Sequence, residues 1–221
     1  VGDLQQLPNV LDSKNFQDSE AVWVRYSLPE IYHFSSHSLL SSAIATWPEA
    51  PTVLLREHYR CHPKIINFCN QKFYGGKLIV MTEDHEEPDV LTMYRTAPGN
   101  HARGHLNQRQ IDVIRQEVLP NLTRQGYESI GIITPYRDQV AAIQTQLGKG
   151  LEVATVHKFQ GREKDAIILA SVDNVITDFV DDPRMLNVAV SRAVKSLTVI
   201  TSQDPQNDRT NYGDLARYIE Y

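Results

Sequence analysis

The sequence predicts an α/β domain in which a mainly parallel sheet is flanked by helices. Short runs of β-branched and apolar residues alternate with stretches whose apolar residues recur at helical spacing, which is typical of strands joined by crossover helices. Most of these runs are continuously apolar, as expected for strands covered on both faces. The 221 residues are enough for one substantial core, or for a domain with a piece of another.

Six apolar runs are the candidate strands of this sheet, because each is short and rich in Val, Ile, Leu or Thr. The candidate strands are Thr52–Leu55, Val90–Tyr94, Ser129–Thr134, Leu151–Val156, Ala166–Val172 and Leu197–Thr201.

Apolar residues at helical spacing predict helices between the strands. The apolar sets are Ile66, Cys69 and Phe73 after Pro63; Ile111, Ile114 and Val118 before Pro120; Tyr136, Val140, Ile143 and Leu147; and Leu186, Ala189 and Ala193. Gly148 is the expected C-cap of the third helix, and Asp182 followed by Pro183 is the expected start of the fourth. A last helix is expected over Tyr212–Tyr218.

Residues 1–50 differ from the rest, with three prolines, a serine-rich stretch and weak periodicity. We expect them to be the tail of a first domain plus a linker, with a compact second domain over residues 51–221. The hydrophobic content of 41% and charged content of 22% exclude wholesale disorder, and no apolar run approaches the roughly 20 residues that span a bilayer. The net charge of −5 weighs mildly against strong binding of duplex nucleic acid.

The two cysteines, Cys61 and Cys69, do not make a disulfide framework, so a reducing cytoplasm is the expected compartment. A zinc site formed by these cysteines with His58 and His62 is an alternative. It is disfavoured because no Cys-x-x-Cys accompanies the set and because Cys69 lies on an apolar helical stripe. We therefore expect no metal site.

Five segments carry residues suited to chemistry, and their order along the chain is the strongest signal. The first is GDLQQLP at 2–8. A Gly-Asp turn can present a carboxylate and an amide together, and the amide of Gln6 can donate to a phosphate oxygen. Taken alone, the segment is more simply a polar surface turn.

The second segment, HYRCHP at 58–63, places Arg60 just before a helix that Pro63 opens. The planar guanidinium suits a transferring phosphoryl group, and Tyr59 beside it can stack on a base. A surface arginine next to a core tyrosine is the better interpretation of this segment in isolation.

The third and fourth segments each follow a candidate strand. In GIITPYRDQ at 131–139, a helix opens directly after the strand, and helix N-termini offer free amide donors to phosphates. A capped turn without a ligand is equally consistent. In TVHKFQGREKD at 155–165, a short charged loop is fixed at both ends by strands, which favours a function over a merely solvated loop.

The fifth segment, LNVAVSRA at 186–193, sets Arg192 among small apolar residues on the fourth expected helix. A long cation there must reach a rim or a partner. The alternative is an arginine that only extends its charge to solvent.

In this order, the five segments resemble motifs III and IV, the Thr-Pro-Tyr motif, and motifs V and VI of superfamily 1 helicases. The branch is the one typified by the nonsense-mediated-decay RNA helicase and its DNA-processing relatives. The resemblance runs from Val1 to about Thr201. Its most specific runs are YRCHP at 59–63, FQGRE at 159–163 and LNVA at 186–189. It implies a RecA-like second motor domain of the P-loop NTPase kind.

In that family two RecA-like domains enclose one ATP. The resemblance implies that Gln6, Arg60 and Arg192 contact the γ-phosphate and that Tyr59 stacks near the adenine. It also implies that Glu163 approaches the ribose, while Gly161 allows the loop backbone to come close.

The same resemblance implies a track for single-stranded DNA or RNA along the strand ends. The residues expected to line this track are Thr134, Pro135, Tyr136, Thr155 and His157. We expect Thr134 and Thr155 to lie near each other, and Arg60, Arg192 and Glu163 to cluster elsewhere on one edge of the sheet.

The 221 residues contain no Gly-x-x-x-x-Gly-Lys-Ser/Thr and no Asp-Glu pair to hold magnesium. ATP and Mg²⁺ are therefore expected to bind mainly to a first RecA-like domain outside this sequence, which is its expected partner. The chain alone should not hydrolyse ATP. One alternative is a nucleic-acid-binding module with decayed ATPase function. Another is an unrelated α/β domain that binds a small ligand at its strand ends.

Overall fold

The computed structural model describes residues 2–9, 11–99, 102–148, 150–202 and 209–221. Val1, where the expected first domain and the family resemblance begin, lies outside these residues. The chain divides into two compact units, Val1–Leu55 and Arg56–Tyr221. No helix in the described ranges is long and apolar enough to cross a membrane.

The first unit contains helices α1 (Ser13–Arg25) and α2 (Leu39–Thr46), with a 3₁₀ turn between them. Asp12 caps α1 by accepting the Asn15 amide at 2.7 Å. The weak periodicity of residues 1–50 predicted no defined helix. The reason for this difference is that most apolar residues of α1 are consecutive, at 21–24, rather than spaced by three or four. None of them is buried.

The second unit is an alternation of strands and helices. Its strands are β1 (Glu57–His58), β2 (Ile79–Val80), β3 (Leu91–Arg95), β4 (Ala102–Arg103), β5 (Leu106–Asn107), β6 (Ile130–Thr134), β7 (Glu152–Thr155), β8 (Lys164–Ala170) and β9 (Ala193–Thr201). Its helices are α3 (Pro63–Phe73), α4 (Gln108–Val113), α5 (Leu119–Arg124), α6 (Arg137–Leu147), α7 (Val156–Phe159), α8 (Pro183–Val190) and α9 (Asn211–Glu220).

A five-stranded sheet in the order β3-β9-β8-β6-β7 forms the centre of this unit. All four pairings are parallel, so the fold class predicted from the sequence is confirmed. Because the strands are parallel, their carboxyl ends meet at one edge and their amino ends at the other. This arrangement separates the residues that follow β6 and β7 from those that precede β8 and β9.

The core lies on both faces of the sheet. On one face, Ile132, Ile168 and Ile200 pack with Ile111 and Ile143 from the helices. On the other, every residue of α8 from Met185 to Val190 is buried. Burial of such apolar side chains is the main favourable term in folding.

Gly131 allows the loop after β7 to pack directly onto β6. A Cβ atom at this position would lie 2.7 Å from the Phe159 ring and 2.9 Å from the Lys164 side chain. Phe159 itself is completely buried. The fourth motif segment is thus anchored on the sheet by close packing of a ring against a glycine.

The helix before β6 continues past Pro120, where the sequence pattern stops. A π-helical turn at Ile114–Val118 joins α4 to α5, and Pro120 lies in the first turn of α5. The wider turn accommodates a proline that would interrupt a regular α-helix.

Two predicted elements are wrong. Thr52–Leu55 forms no strand, and Val53 and Leu55 are 81% and 74% exposed, because no neighbouring strand pairs with this run. The helix expected to continue through Ala193 ends at Val190, and Ala193 begins β9. Arg192 therefore lies in the turn between α8 and β9 rather than on the helix.

Candidate functional site

Arg60, Glu163 and Arg192 meet at the amino edge of the sheet, as the sequence predicts. Arg60 donates through Nη2 to the Ser191 carbonyl oxygen at 2.8 Å, and its Nη1 lies 3.4 Å from Glu163 Oε2. Arg192 donates through Nη2 to the Ser191 hydroxyl at 3.1 Å. Two guanidinium groups therefore gather around one turn, with a single carboxylate paired to the first.

Arg192 is the more deeply held of the two arginines, with only 3% of its surface exposed. Its Nε donates to the Val188 carbonyl at 3.1 Å and its Nη1 to the Arg162 carbonyl at 3.4 Å. Burial and the nearby charge of Arg60 lower the pKa of Arg192. An anion brought to this pair would relieve the repulsion between two close like charges.

Arg60 is more available. About a third of its side chain is exposed, and its Nε is buried without a hydrogen-bond partner among the described residues. Its carboxylate partner Glu163 is 55% exposed, so water screens the pair. The Arg60–Glu163 contact is consequently weak enough to be exchanged for another anion.

His58 belongs to the same cluster, although the sequence analysis assigns it no role beyond the disfavoured zinc alternative. Its Nε2 accepts the Cys61 amide at 2.9 Å, which closes the turn that carries Arg60. Burial, with the charges of Arg60 and Arg192, lowers the pKa of His58 to about 4. The ring is therefore neutral at pH 7 and adds no third positive charge.

Tyr59 and Gly161 lie on the loops that flank this cluster. The Tyr59 ring is 65% exposed, and its hydroxyl donates to the Glu57 carboxylate, which raises the pKa of Tyr59. Gly161 has a φ of +81°, and a Cβ atom there would meet no atom within 4 Å. The position requires the left-handed conformation that glycine adopts readily.

Gln6 lies in the first unit, in a turn organised by Asp3. Its Nε2 donates to Asp3 Oδ2 at 3.1 Å, and Asp3 Oδ1 accepts the Gln5 amide at 2.8 Å. The Gly-Asp segment thus presents a carboxylate and an amide together, as the sequence pattern indicates.

The residues predicted for the single-strand track lie at the opposite, carboxyl edge of the sheet. Thr134 and Thr155 are register partners in β6 and β7, so the expected proximity is confirmed. Thr134 and Pro135 are buried, and the Thr134 hydroxyl has no hydrogen-bond partner among the described residues. Thr155 and Tyr136 are half-buried and His157 is exposed, so these three are the accessible members.

The two sets are separated by the length of the strands. β8 runs seven residues from Lys164 to Ala170, which corresponds to roughly 20 Å at 3.3 Å per residue. Glu163 directly precedes β8 and Arg192 directly precedes β9, whereas Thr155 is the last residue of β7. The segment 155–163 connects the two edges directly.

The four residues of the zinc alternative direct their polar atoms to different partners. His58 accepts from Cys61, His62 Nδ1 accepts the Lys64 amide at 3.1 Å, and the Cys61 thiol faces the Ser191 carbonyl at 3.4 Å. Burial raises the pKa of Cys69, so its thiol is protonated and is not a ready metal ligand.

A different group of three ligands occurs at His62, Asp84 and Glu87. Because His62 Nδ1 already accepts an amide, its Nε2 carries the proton of the neutral ring and donates to Glu87 at 3.2 Å. Lys64 Nζ also lies 3.4 Å from Asp84 Oδ2. The group is therefore better described as a hydrogen-bonded charge network than as a metal site.

Comparison with known proteins identifies relatives of this chain. Residues 35–204 match the AAA domain family. The chain is 29% identical over 187 residues to the 5'-3' DNA helicase ZGRF1 of Mus musculus, and this match covers 76% of this chain and 10% of that protein. It is 34% identical over 179 residues to the ATP-dependent helicase upf1 of Schizosaccharomyces pombe, and this match covers 64% of this chain and 19% of that protein. The chain thus spans about a tenth to a fifth of these relatives.

Among solved structures, the chain is similar to the C-terminal domain of a possible DNA helicase from Lactobacillus plantarum. The TM-score is 0.49 at 17% sequence identity, and the match covers 71% of this chain and 96% of that chain.

Proposed function

The chain belongs to the AAA domain family and is a RecA-like helicase domain, and on this premise we propose that it is the second motor domain of an ATP-dependent nucleic-acid helicase or translocase. A first RecA-like domain would be its partner and would hold most of the ATP and Mg²⁺. In this proposal the chain supplies arginines to the nucleotide and a track to a single strand of DNA or RNA.

The observation that carries the proposal is the gathering of Arg60 and Arg192 around Ser191, with Glu163 beside them. Phosphoryl transfer depends on positive groups that stabilise the charge on the transferring phosphate, and an arginine finger contributes ~10³–10⁵ in rate. With Gln6 as a third contact to the γ-phosphate, the arginines are the proposed catalytic residues.

The Arg60–Glu163 pair is the part of this cluster that a phosphate would change. In the structure, Glu163 is the anion that faces Arg60. In the proposed nucleotide state the γ-phosphate takes that place, which leaves Glu163 free to approach the ribose. Tyr59, which is largely exposed, would stack near the adenine. The sugar and phosphates would fit beside Gly161, where no atom lies within 4 Å of a Cβ position.

The single strand would lie along the carboxyl edge, against Tyr136, Thr155 and His157. The half-buried Thr155 and Tyr136 and the exposed ring of His157 suit backbone contacts and stacking without sequence preference. Thr134 and Pro135 are buried and would act by shaping this edge rather than by direct contact.

The segment 155–163 would couple the two sites. Thr155 is at its start and Glu163 at its end, and Phe159 fixes its middle on Gly131. A change in nucleotide contacts at one end would therefore shift strand contacts at the other. A ligand moves such an equilibrium only through its different affinity for the two states.

Separate measurements of ATP hydrolysis and strand binding by the full-length protein test this proposal. Arg192→Ala should abolish single-strand-stimulated hydrolysis and leave strand affinity without nucleotide unchanged. Thr155→Ala should weaken strand affinity and spare unstimulated hydrolysis. A wild-type protein that binds single strands but does not hydrolyse ATP would instead support the binding module with decayed ATPase function.

A further inference from the structure

Three aromatic rings from separate parts of the chain come together at the carboxyl edge. The ring of Tyr136, just after β6, lies near-parallel to the ring of His105 at a centroid distance of 4.2 Å and an interplanar angle of 25°. It also lies near-parallel to Phe179 at 5.6 Å and 29°. We refer to His105, Tyr136 and Phe179 as the aromatic platform.

The outer members of this platform are open to solvent. Phe179 is 50% exposed and His105 is exposed, whereas Tyr136 is half-buried. An exposed ring that lies near-parallel to a second ring is more informative than an isolated one, because the stack holds its outer π face in a fixed orientation.

The central ring is fixed by the loop after β8. The Tyr136 hydroxyl donates to Asp173 Oδ2 at 2.7 Å. Asp173 directly follows Val172, whose φ of +71° is exceptional for a β-branched residue and costs on the order of 1–3 kcal/mol. A strained residue of this kind persists only when its surroundings hold it.

The surroundings of Val172 are buried amides. Its N–H donates to Gln110 Oε1 at 2.9 Å, and its carbonyl accepts from Asn107 Nδ2 at 2.7 Å. Asn107 also exchanges two hydrogen bonds with Gln139, which lies one helical turn after Tyr136. All three amide side chains are completely buried.

This amide network connects the segments that carry all three rings. Asn107 lies two residues after His105, Gln139 three residues after Tyr136, and Val172 begins the loop that reaches Phe179. The platform is consequently built in advance of any ligand, which lowers the ordering cost of binding.

We propose that the aromatic platform binds a nucleobase of the single strand by stacking, with Phe179 and His105 as contact residues beyond those of the track. This rests on the proposed function, since the platform adjoins the Tyr136 end of that track. Ring stacking suits any base, because every base has a π face.

Local charge favours stacking over phosphate attraction as the source of this affinity. Arg137 follows Tyr136, but Asp178 precedes Phe179, and the Asp173 carboxylate accepts from the Tyr136 hydroxyl. These carboxylates offset the guanidinium charge, so the platform has little net attraction for a phosphate. A contribution from stacking should therefore be nearly independent of salt concentration, whereas each phosphate contact steepens the salt dependence.

The test compares two fluorescent oligonucleotides of equal length, oligo-dT and an abasic strand that keeps the phosphates but has no bases. Binding to the full-length protein is measured without nucleotide. The wild type should prefer oligo-dT. Phe179→Ala should weaken oligo-dT binding roughly tenfold and change abasic binding little, at every salt concentration. His105→Ala should give the same pattern, and Phe179→Trp should restore the preference.

Val175→Ala is the matched control, since Val175 is 70% exposed on the same loop and has no ring. It should leave both affinities unchanged. The urea midpoint of every variant should equal that of the wild type. Equal weakening for both strands in Phe179→Ala, or no weakening, would overturn the stacking role. If the wild type binds both strands equally well, the stacking proposal is wrong and the proposed single-strand track stands. If the wild type binds neither strand, both proposals are wrong.

Discussion

Arg60 donates a 2.8 Å hydrogen bond to the carbonyl oxygen of Ser191 from 131 positions earlier in the chain. The bond joins the turn before α3 to the turn before β9, and Arg192 donates to the hydroxyl of the same serine. The His62 amide also donates to the Val194 carbonyl at 2.7 Å, which holds the turn before α3 against the start of β9. Two arginines far apart in sequence are thereby held within one small volume.

Glu163→Gln should affect nucleotide affinity more than turnover. Glu163 is 55% exposed, so loss of its ion pair with Arg60 should change the free energy of unfolding by less than about 0.5 kcal/mol. If the carboxylate approaches the ribose equally in ground and transition states, KM for ATP should rise about tenfold with kcat nearly unchanged. Steady-state kinetics of the full-length protein give both constants.

Asp165→Asn is the control for this change. Asp165 lies two residues beyond Glu163 and makes an exposed ion pair with Lys195 at 3.1 Å. Its substitution should not alter KM. A fall in kcat at constant KM in Glu163→Gln would place the carboxylate at the reacting phosphate instead.

Gly131→Ala should destabilise the second unit by about 1–3 kcal/mol, because the new methyl group would overlap the buried Phe159 ring. Gly150→Ala is the matched control, since a Cβ atom there meets no atom within 4 Å and its φ is not positive. Urea denaturation measures both. Equal midpoints for the two variants would contradict the close packing of the segment 155–163 on β6.

His58 should make stability depend on pH. Its folded pKa of about 4 is below its ordinary value of 6.5, so between these values the unfolded chain binds a proton that the folded protein does not. The free energy of unfolding should therefore fall as the pH drops from 6.5 to 4, by on the order of 1 kcal/mol for a partly exposed ring.

His58→Gln isolates this effect, because the amide oxygen can accept the Cys61 amide in place of Nε2 without titrating. Urea denaturation at pH 7 and pH 4.5 should show a smaller loss of stability in the variant. Parallel losses in both proteins would mean that other groups control the pH dependence.

The sequence predicts most of the sheet because its strands are continuous apolar runs. Five of the six predicted strands lie within a few residues of those observed, whereas Thr52–Leu55 fails because it has no strand to pair with. An apolar run records the tendency to be buried, not the presence of a neighbour.

The site is predictable where a local motif carries it and not where distant residues create it. The resemblance that the ordered segments carry implies that Arg60, Glu163 and Arg192 come together. The depressed pKa of His58 depends first on burial in the folded protein, then on Arg60 and on Arg192, which is 134 residues away in sequence, so local sequence does not predict it. Similarly, periodicity alone does not distinguish the end of a buried helix from the start of a buried strand, so the pattern assigns Ala193 to a helix although it begins β9.

The most direct test of the central claim is a double-mutant cycle on single-strand-stimulated ATP hydrolysis by the full-length protein. Wild type, Arg60→Ala, Arg192→Ala and the double variant are compared, with ATP binding and the urea midpoint as checks on folding. If the two arginines act on one phosphate, each single substitution should lower kcat about 10³-fold or more. The loss of kcat in the double variant should be far smaller than the product of the two single losses. A single variant that binds ATP and keeps kcat within about tenfold of the wild type would contradict the claim.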